Sequence, residues 1–284
     1  MNKLRTLLCC IATLLLAWSC DKIESDNYLI YSGAVGTWYD GQGVADHSQR
    51  AFMEKYTGPR CVNCPTADNA IHAAMEAYGD KLIVVAIHDS GSFSKPIGNS
   101  PDMRTEDGNA WSKALGVFAA GSYPNGLVCR EQTAPGIFAL FTPTSGIEAK
   151  VDPILAQAPV VALDVQSQLN GNTANITVNL EYLQQYTEPL TLTLFIMEDG
   201  IIAAQKQPDG TTNENYVHNH VLRDVITDLW GTNIDANGAA GCKRYATFQY
   251  EIPSSEWDLD NCHIVAFVSK ASKVVINAAE CELK

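Results

Sequence analysis

Cys61 and Cys64 lie in the run Thr57-Gly58-Pro59-Arg60-Cys61-Val62-Asn63-Cys64-Pro65. By type and spacing they are the residues best suited to do chemistry. Two thiols at this spacing can close a disulfide or exchange one with another protein. Thiolate is the attacking species in exchange, and a helix N-terminus stabilises it through free N–H groups and partial positive charge. Pro65 suits a first helical turn, where its missing N–H is not needed. Arg60 adds a positive charge, so Cys61 is expected to be the more exposed thiol with the lower pKa. The same residues have a second use, an oxidised pair that only staples the start of a helix.

The elements around the motif must position it. Residues 51–56 (AFMEKY) have strand character, and Thr57-Gly58-Pro59 breaks them. Ala70, Ile71, Ala74, Met75 and Tyr78 recur at helical spacing over 67–78, and Gly79-Asp80 closes that helix. Residues 82–87 are a continuous apolar run, as in a strand buried on both faces. Thr105 before Glu106 and Asp107 predicts a helix start, with Trp111, Ala114 and Leu115 facing the core. Residues 125–129 read as another strand, and 144–157 as a helix kinked or split by Pro153. A CxxC between strand and helix occupies the place of the redox motif in a thioredoxin-like fold. In such folds a cis-proline precedes the third core strand and packs against the motif, and Tyr123-Pro124 stands where that proline belongs. Active enzymes of that fold usually carry Trp before the first cysteine, where this chain has Arg60.

After Pro159 the pattern changes to alternation: Val161, Leu163, Val165, then Ile176, Val178, Leu180. Asn170-Gly171 between them is a hairpin signal. Further strands are expected at 190–197, 216–222, 244–251, 263–269 and 274–283. Short strands with turns between them predict an antiparallel sandwich.

Other candidates are thinner. His218 and His220 would share one face of a strand and are weak metal candidates, with no third ligand at a compelling spacing; no metal and no cofactor is assigned. His88-Asp89 would lie at the end of the 82–87 strand, near the CxxC. Gly-x-Ser-x-Gly, a P-loop and Gly-x-Gly-x-x-Gly between strand and helix are absent.

Six cysteines follow Cys20: Cys61, Cys64, Cys129, Cys242, Cys262 and Cys281. An even count in an exported chain favours disulfides, whose connectivity the sequence leaves open. If Ser269 pairs with Val274 in a hairpin, Cys262 faces Cys281, a candidate structural disulfide. Cys129 and Cys242 would then pair or stay as thiols. The rival bond is Cys242–Cys262.

Lys3 and Arg5 precede an apolar run from Leu7 to Ala17, too short to span a bilayer and right for a signal peptide over 1–19. Ala17-Trp18-Ser19-Cys20 followed by acidic residues resembles a lipobox, so Cys20 is expected to be the lipid attachment site, the other reading being ordinary signal cleavage with Cys20 a bystander. Removing Lys3 and Arg5 with the leader leaves 17 basic residues against 32 acidic, net −15. Such a chain has no electrostatic footprint for nucleic acid, and its membrane contact must run through lipid.

The ordered strings KYTGPRCVNCP, IVVAIHDS, DMRTEDGN, SYPNGLV, NYVHNHVLRD and HIVAFV resemble the Omp-twenty-eight-related outer-membrane lipoprotein family over most of residues 45–284. The resemblance implies an α/β thioredoxin-like domain followed by an all-β antiparallel sandwich. The chain then divides into a leader (1–19), a tether and entry strand (20–44), a thioredoxin-like domain (45–158) and an immunoglobulin- or fibronectin-like sandwich (159–284). It further implies a lipid-anchored protein of the outer membrane, facing periplasm or cell surface. Its role would be that of an adhesin or receptor for a protein or small ligand, with a structural CxxC. The alternative, from a different class, is a thiol–disulfide oxidoreductase acting on exported proteins through Cys61 and Cys64.

Overall fold

In chain order the strands are β1 (Thr37–Asp40), β2 (Ala51–Tyr56), β3 (Leu82–Ile87), β4 (Asn125–Val128), β5 (Gln132–Ala134) and β6 (Ile137–Phe138). There follow β7 (Val161–Asn170), β8 (Thr173–Tyr182), β9 (Leu190–Glu198), β10 (Ile201–Lys206), β11 (Thr212–His218) and β12 (Val221–Val225). The last are β13 (Thr232–Asn233), β14 (Lys243–Glu251), β15 (Cys262–Lys270) and β16 (Val275–Glu282). The helices are α1 (Cys64–Tyr78), α2 (Glu106–Ala114), α3 (Val117–Ala120) and α4 (Glu148–Leu155). The computed structural model describes residues 36–234, 238–253 and 256–284. Cys20 and the leader lie outside them.

An eight-stranded sheet is the middle layer, in the order β16-β15-β9-β12-β3-β2-β4 with β13 beside β9. Its two faces feed two cores. Phe195 and Met197 of β9 and Val265 and Phe267 of β15 turn toward α1, α2 and α4, where they join Phe52, Ile71, Trp111 and Ile154. Their alternates Leu194, Ile196, Ile264 and Ala266 turn toward the four-stranded sheet β1-β14-β8-β7. Covering on both faces is why β9 and β15 read as near-continuous apolar runs, while β8, with one wet face, alternates strictly. At the β7–β8 turn Asn170 pairs with Thr173 and Gly171 takes φ +61°, which costs glycine nothing.

The fold is mostly β with several sheets. The expected boundary near 158–159 falls between α4 and β7, yet strands from either side of it share the large sheet. The join is narrow. β12 meets β3 in parallel through Val221 and Ala86, and Ala86 N–H donates to His220 O at 2.7 Å. α2 reinforces it: Asp107 accepts from Val225 N–H at 3.1 Å and Trp111 Nε1 donates to Leu229 O at 2.9 Å.

One ion pair lies in the helix-side core. Arg130 donates through Nε and Nη2 to both oxygens of Glu54, at 2.9 and 2.8 Å, and its guanidinium stacks on Trp111 and Phe267. Both side chains are almost wholly buried, so neither charge can be left without the other.

Several expectations need correcting. Residues 216–222 are not one strand: β11 ends at His218, His220 takes φ +59°, and β12 begins at Val221. Ala114 points to solvent, while Trp111 and Leu115 are buried. Pro153 lies inside α4 without splitting it.

Candidate functional site: a disulfide beneath a hairpin

The loop after β2 is built by backbone hydrogen bonds. Thr57 N–H donates to Ile87 O at 3.0 Å, Cys61 N–H to Gly58 O at 3.0 Å and Arg60 N–H to Phe93 O at 2.9 Å. Gly58 is required here, since a Cβ would come within 2.3 Å of Phe93 O. α1 opens at Cys64, with Pro65 in its first turn. Cys61 and Cys64 are joined as a disulfide, their Cα atoms 5.4 Å apart.

Both sulfurs are covered: Cys61 is 1% exposed and Cys64 0%, although Val62 between them is 42% exposed. The expected ranking, with Cys61 the more exposed, holds by only one per cent, and neither cysteine is open to solvent. The β10–β11 hairpin is bonded to the same loop. Gln205, itself buried, donates through Nε2 to Cys61 O at 2.9 Å and Gly58 O at 3.4 Å. Lys206 N–H donates to Pro59 O at 2.8 Å, and Ser100 Oγ accepts from Ala204 N–H at 3.0 Å. Arg60 is also committed. Nε and Nη2 donate to Lys95 O and Pro96 O at 3.0 and 2.6 Å, so the guanidinium braces the neighbouring loop.

A second support lies behind the loop. Asp89 accepts from the hydroxyls of Ser112 and Tyr123 and from Gly91 N–H at 2.8 Å. Ser94 Oγ sits 2.9 Å from Thr57 O and 3.3 Å from Asp89 Oδ1. Burial and the Asp89 contact push the Tyr123 phenol well up, so it remains a donor. The Tyr123-Pro124 bond is cis, and Pro124 is buried just ahead of Asn125, the residue paired with Tyr56 at the end of β2. Tyr123 also packs its ring on Phe93 at 5.4 Å.

The second cysteine pair is a correction. Cys262 and Cys281 are free thiols, as are Cys129 and Cys242. The register slides by two residues: the hairpin pairs Ser269 with Val275 rather than Val274, and a bulge at Val268/Ser269 adds a second step, placing Cys281 opposite Ile264 and His263 opposite Glu282. Cys262 and Cys281 therefore share a face on the diagonal, where Cβ atoms lie roughly 7–8 Å apart, against the 3.5–4.5 Å a disulfide spans. Burial pushes the Cys262 and Cys129 thiols up to about 12.

The histidines are also rearranged. The break at Asn219-His220 sends His218 inward to meet His88, ring centroids 6.1 Å apart. His220 Nδ1 instead lies 3.2 Å from Asp199, which His263 Nε2 approaches at 3.6 Å. Among the described residues no group of three or more His, Cys, Asp or Glu is placed to hold a metal ion.

Gln205 and its hairpin went unnoticed in the sequence, though Asp209-Gly210 is a hairpin signal that could have found them. Nothing local marks Gln205 as the residue that seals the disulfide.

Comparison with known proteins places this architecture. HBP35 of Porphyromonas gingivalis superposes with a TM-score of 0.65 at 16% identity, over 84% of this chain and 77% of that one. Protein AGR_C_4864 from Agrobacterium tumefaciens gives 0.52 at 15% identity, over 83% of this chain and 95% of that one. At such identities the likeness is one of fold. No curated protein matches the sequence. The family model for outer membrane protein Omp28 matches residues 117–284, more than half of the sequence. The chain belongs to the Omp28 family of outer membrane proteins.

Proposed function

We propose that this protein is a lipid-anchored binding protein of the outer membrane, with an adhesin- or receptor-like role, and that its Cys61–Cys64 bond is structural. The observation that carries the reading is the hairpin over the disulfide. An oxidoreductase must present one sulfur to a partner thiolate, whereas both cysteines here are buried, and Gln205 and Lys206 bond to the carbonyls of their loop. Sealed in this way, the bond fixes the start of α1 and the seat of the hairpin together.

The anchor is Cys20, acylated after removal of residues 1–19. Family membership supports the outer membrane as location, and no helix among the described residues is long and apolar enough to cross a membrane. Residues 45–158 are read as a thioredoxin-like part, on the strand–CxxC–helix order and the Pro124 loop. Residues 159–284 are read as a sandwich part that contributes the hairpin. An insulin-reduction assay with dithiothreitol tests the functional reading. The expected result is no acceleration over dithiothreitol alone, and catalytic turnover would favour the oxidoreductase. Palmitate labelling tests the anchor, with incorporation expected to vanish in Cys20→Ala and its persistence ruling that site out.

A further inference from the structure

Two carboxyl groups meet where the halves of the chain share the large sheet. Asp107 stands in the first turn of α2 and is 7% exposed. Its side chain makes a hydrogen bond with the side chain of Asp224 on β12. Each carboxyl is also held by another group. Asp107 Oδ2 accepts from Val225 N–H at 3.1 Å, and Asp224 Oδ2 accepts from the Tyr250 hydroxyl of β14. The contacts thus run from a helix, through the large sheet, to the four-stranded sheet.

An ionised carboxylate only accepts hydrogen bonds, so two of them cannot bond to each other. The contact therefore contains a proton. Burial raises both carboxyls, and the bond between them favours the proton on Asp107 and disfavours it on Asp224. Asp107 is the donor and Asp224 the acceptor. The charges around the pair do not replace the proton. Glu106 beside Asp107 is negative, Tyr250 offers a hydroxyl, and Arg223, next to Asp224 along β12, bonds to Glu198 at 2.6 Å. Without the proton the hydrogen bond is lost and two like charges face each other in a mostly buried contact.

We propose that Asp107 and Asp224 form a clasp closed by one shared proton, and that loss of this proton parts the start of α2 from β12. Burial, with Asp224 adjacent, raises the Asp107 carboxyl to about 7. The clasp is therefore closed in acid and opens as pH rises through neutrality. Opening frees Val225 N–H and loosens the narrow join, where β12 meets β3 through Val221 and Ala86. The same helix carries Ser112, which donates to Asp89 behind the disulfide loop. The join and that loop thus share one support.

The test uses the full chain and NMR. With 13C-labelled aspartate, the Asp107 and Asp224 carboxyl carbons should both shift with a midpoint near 7. Two separate titrations in the ordinary carboxylate range would overturn the shared proton. Exchange protection of Val225 N–H, corrected for the intrinsic effect of pH, should fall about ten-fold between pH 6 and pH 8. Unchanged protection would mean that the proton leaves without any parting, and rejects the clasp. Asp107→Asn puts a permanent N–H donor in the proton's place, while its amide oxygen still accepts from Val225 N–H. Protection should then be equal at the two pH values, and a fall as large as in wild type would assign the opening to another group and overturn the proposal. Should that variant fail to fold, the wild-type titration and exchange decide alone.

Discussion

Two cysteine pairs in this molecule reach opposite ends. Cys61 and Cys64 are joined, whereas Cys262 and Cys281, on adjacent strands and the same sheet face, stay thiols. Burial does not separate the cases, since Cys262 is 1% exposed, like Cys61. The difference lies in what sets the distance. In the first pair a tight loop with its own hydrogen bonds, Cys61 N–H to Gly58 O and Cys64 N–H to Cys61 O, holds positions three apart together. In the second the distance depends on a long hairpin, where a turn one residue longer than expected and a bulge at Val268/Ser269 together move the cysteines onto a diagonal. The first pair is also tied to the far half of the chain, where Gln205 and Lys206 bond to the carbonyls of its loop.

The most damaging break of this comparison is Cys64→Ala. Opening a loop this short should lower stability by about 2 kcal/mol, read from the urea midpoint. Cys281→Ala should change the midpoint by less than about half of that, since it breaks no bond.

The joint beside the cover responds to pH. Burial, with Asp224 adjacent, pushes the Asp107 carboxyl up to about 7, and burial raises Asp224 as well. Both folded-state values lie above the ordinary carboxylate range, so the folded chain holds protons that the unfolded chain releases. The stability this contributes is complete below the ordinary carboxylate pKa and is lost as pH rises through about 7. Thermal midpoints should fall between pH 4 and pH 8. Asp107→Asn should flatten that slope and stabilise by about 1 kcal/mol at pH 8.

Gln205→Ala sharpens the comparison at the cover itself. Losing its bonds to Cys61 O and Gly58 O should cost about 1 kcal/mol. Reduction of Cys61–Cys64 by dithiothreitol should then run about five-fold faster, measured by quenched alkylation. The smallest effect is expected among the free thiols. Iodoacetamide at pH 8 should leave Cys129 and Cys262 unlabelled in the native protein, because burial holds both thiols near 12. Mass mapping after denaturation should find all four of Cys129, Cys242, Cys262 and Cys281 labelled and only Cys61–Cys64 linked among these six.

What could be read in the sequence follows the same division. β2, β3, the Asn170-Gly171 hairpin and the Cys61–Cys64 loop are each governed by neighbours within a few residues, and their patterns point to them directly. So does Thr105, whose Oγ1 accepts from Gly108 N–H at 2.9 Å to cap α2. Gln205 meets Cys61 across more than half the chain, His218 meets His88 across nearly half, and the partner of Cys281 depends on where a hairpin turns and bulges; no local pattern carries that information. His218 is the clearest case. Its strand neighbour two positions on pointed to His220, while a turn at positive φ gave it His88 instead.

The central claim is that the covered disulfide is a structural bond in an outer-membrane binding protein. Its reduction potential, measured by equilibration against thiol–disulfide buffers with mass detection of the Cys61–Cys64 peptide, tests that claim most directly. The account predicts a value below about −300 mV, where structural bonds of exported proteins lie. A value near −120 to −230 mV, the range of working oxidoreductases apart from thioredoxin itself, would contradict it.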